Sequence, residues 1–178
     1  MIVIHPNDKT TSFLKKIYEN EKDVILINET WNNRNIRETI GRSENELILM
    51  LGHGCGNGLF APYGENQFAR TIVDDKLVYL LKDRTCIGIW CHANEFAEKY
   101  GLKGLFSGMV VSEADEAYSL GLDIYGEDLE SCNNQYASDL DYCLRHYSLD
   151  LIPEMMQEIQ DYHSDLKDFN YKSLYFYC

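Results

Sequence analysis

Two residues in this sequence have the type and setting for nucleophilic chemistry, His53 and Cys91. The apolar run Leu47-Ile48-Leu49-Met50-Leu51 leads through Gly52 into His53 and Gly54, and the run Ile87-Gly88-Ile89-Trp90 leads into Cys91 and His92. A thiol attacks a carbonyl only as thiolate, so it needs a proton acceptor or a local field that favours its anion. The imidazole of His53 is a candidate for the first, and the N-terminal N–H groups of a helix starting just after Cys91 supply the second. Gly54 has no side chain, so its N–H can approach a substrate closely. Together with the Cys91 amide it makes a candidate pair of donors for a developing oxyanion.

Each apolar run has the length of a buried strand covered on both faces. Between them, residues 73 to 83 predict a helix with Leu77, Val78, Leu80 and Leu81 on its apolar side. Strand, helix and strand form a crossover, which makes the strands parallel and brings both C-terminal ends to one edge of a sheet. Ligands of open α/β sheets bind at such edges. Strands that pair directly lie about 4.8 Å apart, so the geometry asked of His53 and Cys91 is modest.

The rest of the chain alternates in the same way. Ile2 to Ile4 predicts a first strand, and Thr10, Thr11 or Ser12 can cap a helix burying Phe13, Leu14, Ile17 and Tyr18. Val24 to Ile27 reads as a second buried strand, and Asn32 to Arg42 as a short helix using Ile36 and Ile40. A glycine-rich loop follows His53, from Gly54, Gly56 and Gly58 to Tyr63 and Gly64. Ala93 to Tyr100 predicts a helix stopped by Gly101, and Leu105 to Val111 a strand leading into Ser112-Glu113-Ala114-Asp115-Glu116. Residues 119 to 138 show no clear period and read as a mobile loop. Strong helical spacing from Leu140 to Tyr162 is interrupted by Pro153, and the tail from Tyr171 to Tyr177 reads as an added edge strand. The sum is an α/β chain, a three-layer αβα sandwich with a mostly parallel sheet, as one domain over residues 1–178.

Composition narrows the partners. Sixteen basic against 29 acidic residues give a net charge of −13, which repels phosphate backbones and anionic lipid and either mildly favours basic peptides at long range or simply keeps the chain in solution. Neither nucleic acid nor a membrane is an expected partner. No secretory signal and no run of about 18 apolar residues is present, so a cytoplasmic location is the expectation. The six cysteines contain no Cys-x-x-Cys pair. Cys86 and Cys143 fall in apolar patterns as buried small hydrophobes, and only Cys91 has a setting that suggests reactivity. His5, His146 and His163 read as structural or solvated, and His92 as a rival base or, facing away, a packing or capping residue.

An apolar strand ending in His53-Gly54 and, one crossover later, an apolar strand ending in Cys91 resembles the caspase-like cysteine peptidases of clan CD. Cys91-His92 is closest to the metacaspase and gingipain-type bacterial members. The resemblance covers the organisation of residues 1 to 116, and its specific motif is short. Trp90 stands where the metacaspase pattern has an acid, no glycine follows at the third position, and the caspase Gln-Ala-Cys-x-Gly signature is missing. The resemblance implies a caspase–haemoglobinase-like sandwich and a His53–Cys91 dyad that cleaves peptide or protein substrates through an acyl-enzyme, with no cofactor. It also places Glu113 or Asp115 where metacaspase-like members bind a basic side chain.

Other classes stay open. One is a catalytically inactive caspase-like binding or scaffold module, which His53-dependent labelling of Cys91 would distinguish from an enzyme. Another is a metal site of His53, Cys55, Cys91 and His92, opposed by the opposite directions of adjacent side chains at a strand end. The glycine-rich stretch after Leu51 lacks the endings of phosphate-binding loops, and no Gly-x-Ser-x-Gly elbow occurs. Glu113 and Asp115 can equally be acids complementing a helix N-terminus.

Overall fold

Short β-branched and leucine-rich runs separated by amphipathic segments produce alternating strands and helices. A computed structural model describes residues 1–43, 46–62, 68–126 and 128–178. In chain order, β1 (Ile2–Ile4) leads to a 3₁₀ helix (Ser12–Ile17), β2 (Ile25–Ile27), α1 (Asn33–Arg42) and β3 (Ile48–Leu51). Then come β4 (Gly54–Cys55), β5 (Gly58–Pro62) and β6 (Phe68–Val73), and a 3₁₀ turn (Asp75–Leu77) running into α2 (Val78–Leu81). After β7 (Thr85–Ile89), α3 (Ala93–Tyr100), β8 (Lys103–Ser107) and α4 (Ala114–Ser119) come α5 (Leu129–His146), α6 (Ile152–Glu158), α7 (Asp165–Lys172) and β9 (Leu174–Tyr177).

Six strands form one sheet in the order β2-β1-β3-β7-β8-β9. The first five are parallel, and β9 joins the far edge antiparallel to β8. Alternate residues serve opposite faces, as the period of a strand requires. Ile2, Ile4, Ile48, Met50, Cys86 and Phe106 pack with α1, α2 and α3. Val3, Leu49, Leu51, Ile87, Ile89 and Leu105 pack with the first 3₁₀ helix, α5, α6 and α7. Helices therefore cover both faces of a mostly parallel sheet, the three-layer arrangement expected.

Several boundaries differ from the sequence reading. β2 is an edge strand, with Ile25 and Leu26 well exposed, because nothing pairs on its outer side among the described residues. The glycine-rich stretch after His53 is a small antiparallel sheet, β4-β5-β6, whose two- and five-residue strands are too short and glycine-rich to show a period; Tyr63 and Gly64 lie outside the described residues. Val73 ends β6, so the crossover helix starts later, with the Asp74 side chain accepting from the Lys76 N–H. β8 stops at Ser107, where the Gly108 N–H turns to the Ser173 carbonyl. Of residues 119 to 138, those from Leu129 onward are helical and position 127 lies outside the described residues; Asn133 and Asp139, buried on the inner face of α5, mask its period. Pro153 sits in the first turn of α6, where its missing N–H costs nothing.

Candidate active site

β3 and β7 are hydrogen-bonded neighbours with Leu51 opposite Ile89, and their ladder extends one step further through the Gly52 N–H to the Ile89 carbonyl at 3.1 Å. Gly52 then turns the chain at φ 140°, a conformation open to glycine, and delivers His53. On the neighbouring strand the chain continues through Trp90 to Cys91. His92 takes a left-handed φ of 65°, its N–H donates to the Gly108 carbonyl, and α3 begins at Ala93. A left-handed conformation at a residue other than glycine costs on the order of 1 kcal/mol and here sits directly beside the thiol. His53 and Cys91 line one cavity of about 20 Å³ with Gly52, Trp90, Val110 and Ser112, roofed by Thr11, Phe13 and Leu14. That is room for about one water molecule.

The imidazole is held by a pair that the sequence reading missed. His53 Nε2 lies 2.5 Å from Thr10 Oγ1, which lies 2.6 Å from Asp8 Oδ1. Burial acts to raise the Asp8 carboxyl, but hydrogen bonds from the Thr10 hydroxyl and N–H, the charge of His53 and the Thr11 backbone outweigh it and hold its pKa below the ordinary value. Asp8 is therefore a carboxylate, which only accepts, so the Thr10 hydroxyl must spend its one proton on it. Thr10 Oγ1 then accepts from His53, which puts the proton of the neutral ring on Nε2 and makes Nδ1 its basic nitrogen. Side-chain exposures of only 16% for His53 and 22% for Asp8 keep this arm shielded from water. Of the three cap candidates Thr10, Thr11 and Ser12, Thr11 occupies the cap position, without a side-chain bond, and Thr10 turns to His53. The local signal in the sequence is the Asp-x-Thr turn, with the Thr10 N–H on Asp8 at 2.8 Å.

Trp90 ties the two strand ends together. Its ring is buried, and a side chain at Gly54 would collide with that ring and with the Gly58 carbonyl. The indole N–H donates to the Cys55 carbonyl at 3.1 Å, and the ring meets Phe96 of α3 edge-on at 5.9 Å. The Trp90 N–H donates to Ser107 Oγ at 3.0 Å, and Ser107 returns its proton to the Trp90 carbonyl at 2.8 Å. Trp90 thus fixes the His53–Cys55 loop against the strand that carries Cys91. Gly54, read as an oxyanion donor, has this packing reason to be glycine as well.

The thiol itself is held in its neutral form. Burial is the main cause, a backbone hydrogen bond at Val110 opposes it, and the charge of Glu116 adds to it; the Cys91 pKa is pushed up to about 11, and the neutral thiol donates to the Val110 carbonyl at 3.6 Å. At neutral pH the resting thiolate fraction is then about 10⁻⁴. Alkylation by iodoacetamide is expected to rise about tenfold per pH unit up to about 11. A plateau near 8.5, where an ordinary cysteine ionises, would contradict it. The folded state also holds this proton more tightly than the unfolded chain, so Cys91 contributes stability below about 9 that is lost as the pH rises through 11.

The remaining candidates separate clearly. His92 stands at the N-cap position of α3 without a side-chain cap bond, and its Nδ1 pairs with Glu95 at 2.9 Å on the solvent side. Glu113 and Asp115 are exposed at the start of α4. From that segment Ser112 lines the cavity, while Glu116 accepts from the Ser112 and Glu113 N–H groups. His5 is sealed against the Tyr18 hydroxyl, with its pKa lowered to about 4 chiefly by burial. His146 stacks on Tyr142, and His163 pairs with Asp168 at the surface. Cys86 and Cys143 are buried, and all six cysteines are free thiols. Among the described residues no three His, Cys, Asp or Glu side chains converge as metal ligands, and no helix is long and apolar enough to cross a membrane.

The fold and site together define an α/β sandwich domain with a histidine and a cysteine at the ends of adjacent parallel strands. No family model matches the chain, and no curated protein matches it in sequence.

Proposed function

We propose that this chain is a caspase-like cysteine endopeptidase in which His53 and Cys91 act as a dyad on a peptide or protein substrate. The observation that carries the reading is that both residues line one cavity beyond the C-terminal ends of paired parallel strands. His53 Nδ1 takes the Cys91 proton as the sulfur attacks the substrate carbonyl, and the resulting imidazolium is balanced through Thr10 by the Asp8 carboxylate. The Gly54 and Cys91 amides hold the oxyanion. His53 then returns the proton to the departing amine, leaving an acyl-enzyme that water hydrolyses with His53 again as base. Cleavage after a basic residue rests on Glu113 and Asp115, exposed at the start of α4 and following Ser112, the residue of that segment that lines the cavity. The test is incubation with a mixed peptide library and mass spectrometry of the products, with Cys91→Ala as control. Products that persist in the control would refute the reading.

A second reading is a catalytically inactive caspase-like binding module, favoured by the neutral thiol and the 20 Å³ cavity. For catalysis this cavity must open, and Phe13, half-buried, is with Ser112 one of the two residues that line both it and the open surface groove beside it. Phe13→Ala is expected to raise peptide cleavage severalfold. No gain in kcat/KM, with the fold intact by circular dichroism, would favour the binding module.

The Asp8 arm gives a further expectation. Thr10→Val keeps the shape but removes the hydroxyl, and kcat should fall about tenfold to a hundredfold with KM little changed. Thr10→Ser should restore most of the rate. A loss that serine does not rescue would mean that Thr10 serves only packing.

A further inference from the structure

The larger groove beside the cavity has chemistry of its own. Its volume is about 620 Å³, within the usual range of ligand sites, and it shares Phe13 and Ser112 with the cavity of His53 and Cys91. Thr10, the partner of His53, also lines it. One wall is the first 3₁₀ helix and the turn before it, which bring Lys9, Lys15 and Lys16 to the groove; the other is the first turns of α5. Three lysines against Glu19 and Glu130 reverse locally the sign of a chain whose net charge is −13.

A second observation points to a peptide. Asn133, 6% exposed, lines the same groove, and its Nδ2 donates to the Ser112 carbonyl at 2.9 Å. That bond fixes which way the amide faces, because a carbonyl can only accept. Asn133 Oδ1 is then a buried acceptor with no donor from the chain. Buried acceptors are nearly always satisfied, and a backbone N–H lying along the groove is a donor of the right kind.

We infer that this groove binds an acidic segment of the substrate, beside the residue that is cleaved, with its carboxylates on Lys9, Lys15 and Lys16 and a backbone N–H on Asn133. The inference rests on the peptidase reading for its place next to the scissile bond, but its test needs no turnover. Fluorescein-labelled short peptides rich in Asp and Glu, their Asn and Gln counterparts and their Lys and Arg counterparts are titrated with the full-length Cys91→Ala chain, read by anisotropy. The acidic peptide should bind about tenfold more tightly than the neutral one at low salt, a difference that three exposed charge pairs of ordinary strength supply. The gap should narrow as salt screens it. Replacing Lys9, Lys15 and Lys16 together by glutamine should erase the preference, and replacing them by arginine should keep it. Equal binding of acidic and neutral peptides, tighter binding of the basic one, no binding at all, or a preference that survives the glutamine changes would overturn the assignment. Cleavage by the wild-type chain without acidic preference removes the groove but leaves the dyad. Acidic binding without cleavage removes the dyad but leaves the groove.

Discussion

Cys91→Ala is expected to lower peptide cleavage by at least about 10³-fold, and His53→Ala by about 10²- to 10⁴-fold. The two losses should not add, because a nucleophile and its base act as one unit and removing either leaves the other without a task. The fold should survive both. Cys91 is only part of the cavity wall, and the strands that carry the pair are anchored by Leu49, Leu51, Ile87 and Ile89, all in the core on one face of the sheet. The measurement is a single-turnover assay on the two single variants and the double variant, with circular dichroism as the fold control. A double variant far slower than either single one would mean that the residues act separately.

Trp90→Ala should cost about 3–5 kcal/mol of stability, the range for deleting a buried aromatic side chain. The loss reaches further than packing. Without the ring, Gly54 loses the surface it lies on, the Cys55 carbonyl loses the indole N–H, and Phe96 loses its edge contact. The Gly52–Ile89 hydrogen bond still ties the loop bearing His53 to β7. Trp90→Phe keeps an aromatic ring but loses the bond to Cys55, at about 1 kcal/mol, together with part of the buried indole volume, so its cost should fall between wild type and alanine. Urea unfolding of both variants reads the stability, and alkylation of Cys91 reads the cavity. Gly54→Ala is the complementary test, since its methyl group meets Trp90 and the Gly58 carbonyl and should cost about 1–3 kcal/mol by overpacking. A Trp90→Ala variant of wild-type stability would show that the bridge carries no load.

Local patterns carried much of the architecture. The runs over β3 and β7 are short and wholly apolar because both faces of those strands are covered, and this alone brought His53 and Cys91 to one edge. Ile36 and Ile40 of α1, and Phe96 and Ala97 of α3 with Gly101 as its left-handed stop, were legible for the same reason. The aromatic tail was legible as an edge strand from its strand-favouring aromatics, but the strand spans only Leu174–Tyr177, and Tyr171, its expected start, belongs to α7. What escaped was set by distance along the chain. Thr10 reaches His53 across 43 residues, and no periodicity announces such a pairing. Trp90 looked like a departure from a peptidase motif, whereas its role depends on Gly54 and Cys55 arriving from another strand. The inner face of α5 was obscured by its buried polar residues, of which Asp139 is satisfied by the Tyr171 hydroxyl from α7.

The central claim is that the imidazole governs the thiol. A peptidyl acyloxymethyl ketone places a carbonyl and a leaving group against Cys91 and so calls on His53 as a substrate would, and its labelling rate can be followed by intact-protein mass spectrometry at neutral pH. The wild-type chain should be labelled at Cys91 about 10²-fold faster than the His53→Ala variant. Equal rates in the two proteins, or labelling at another cysteine, would contradict the dyad.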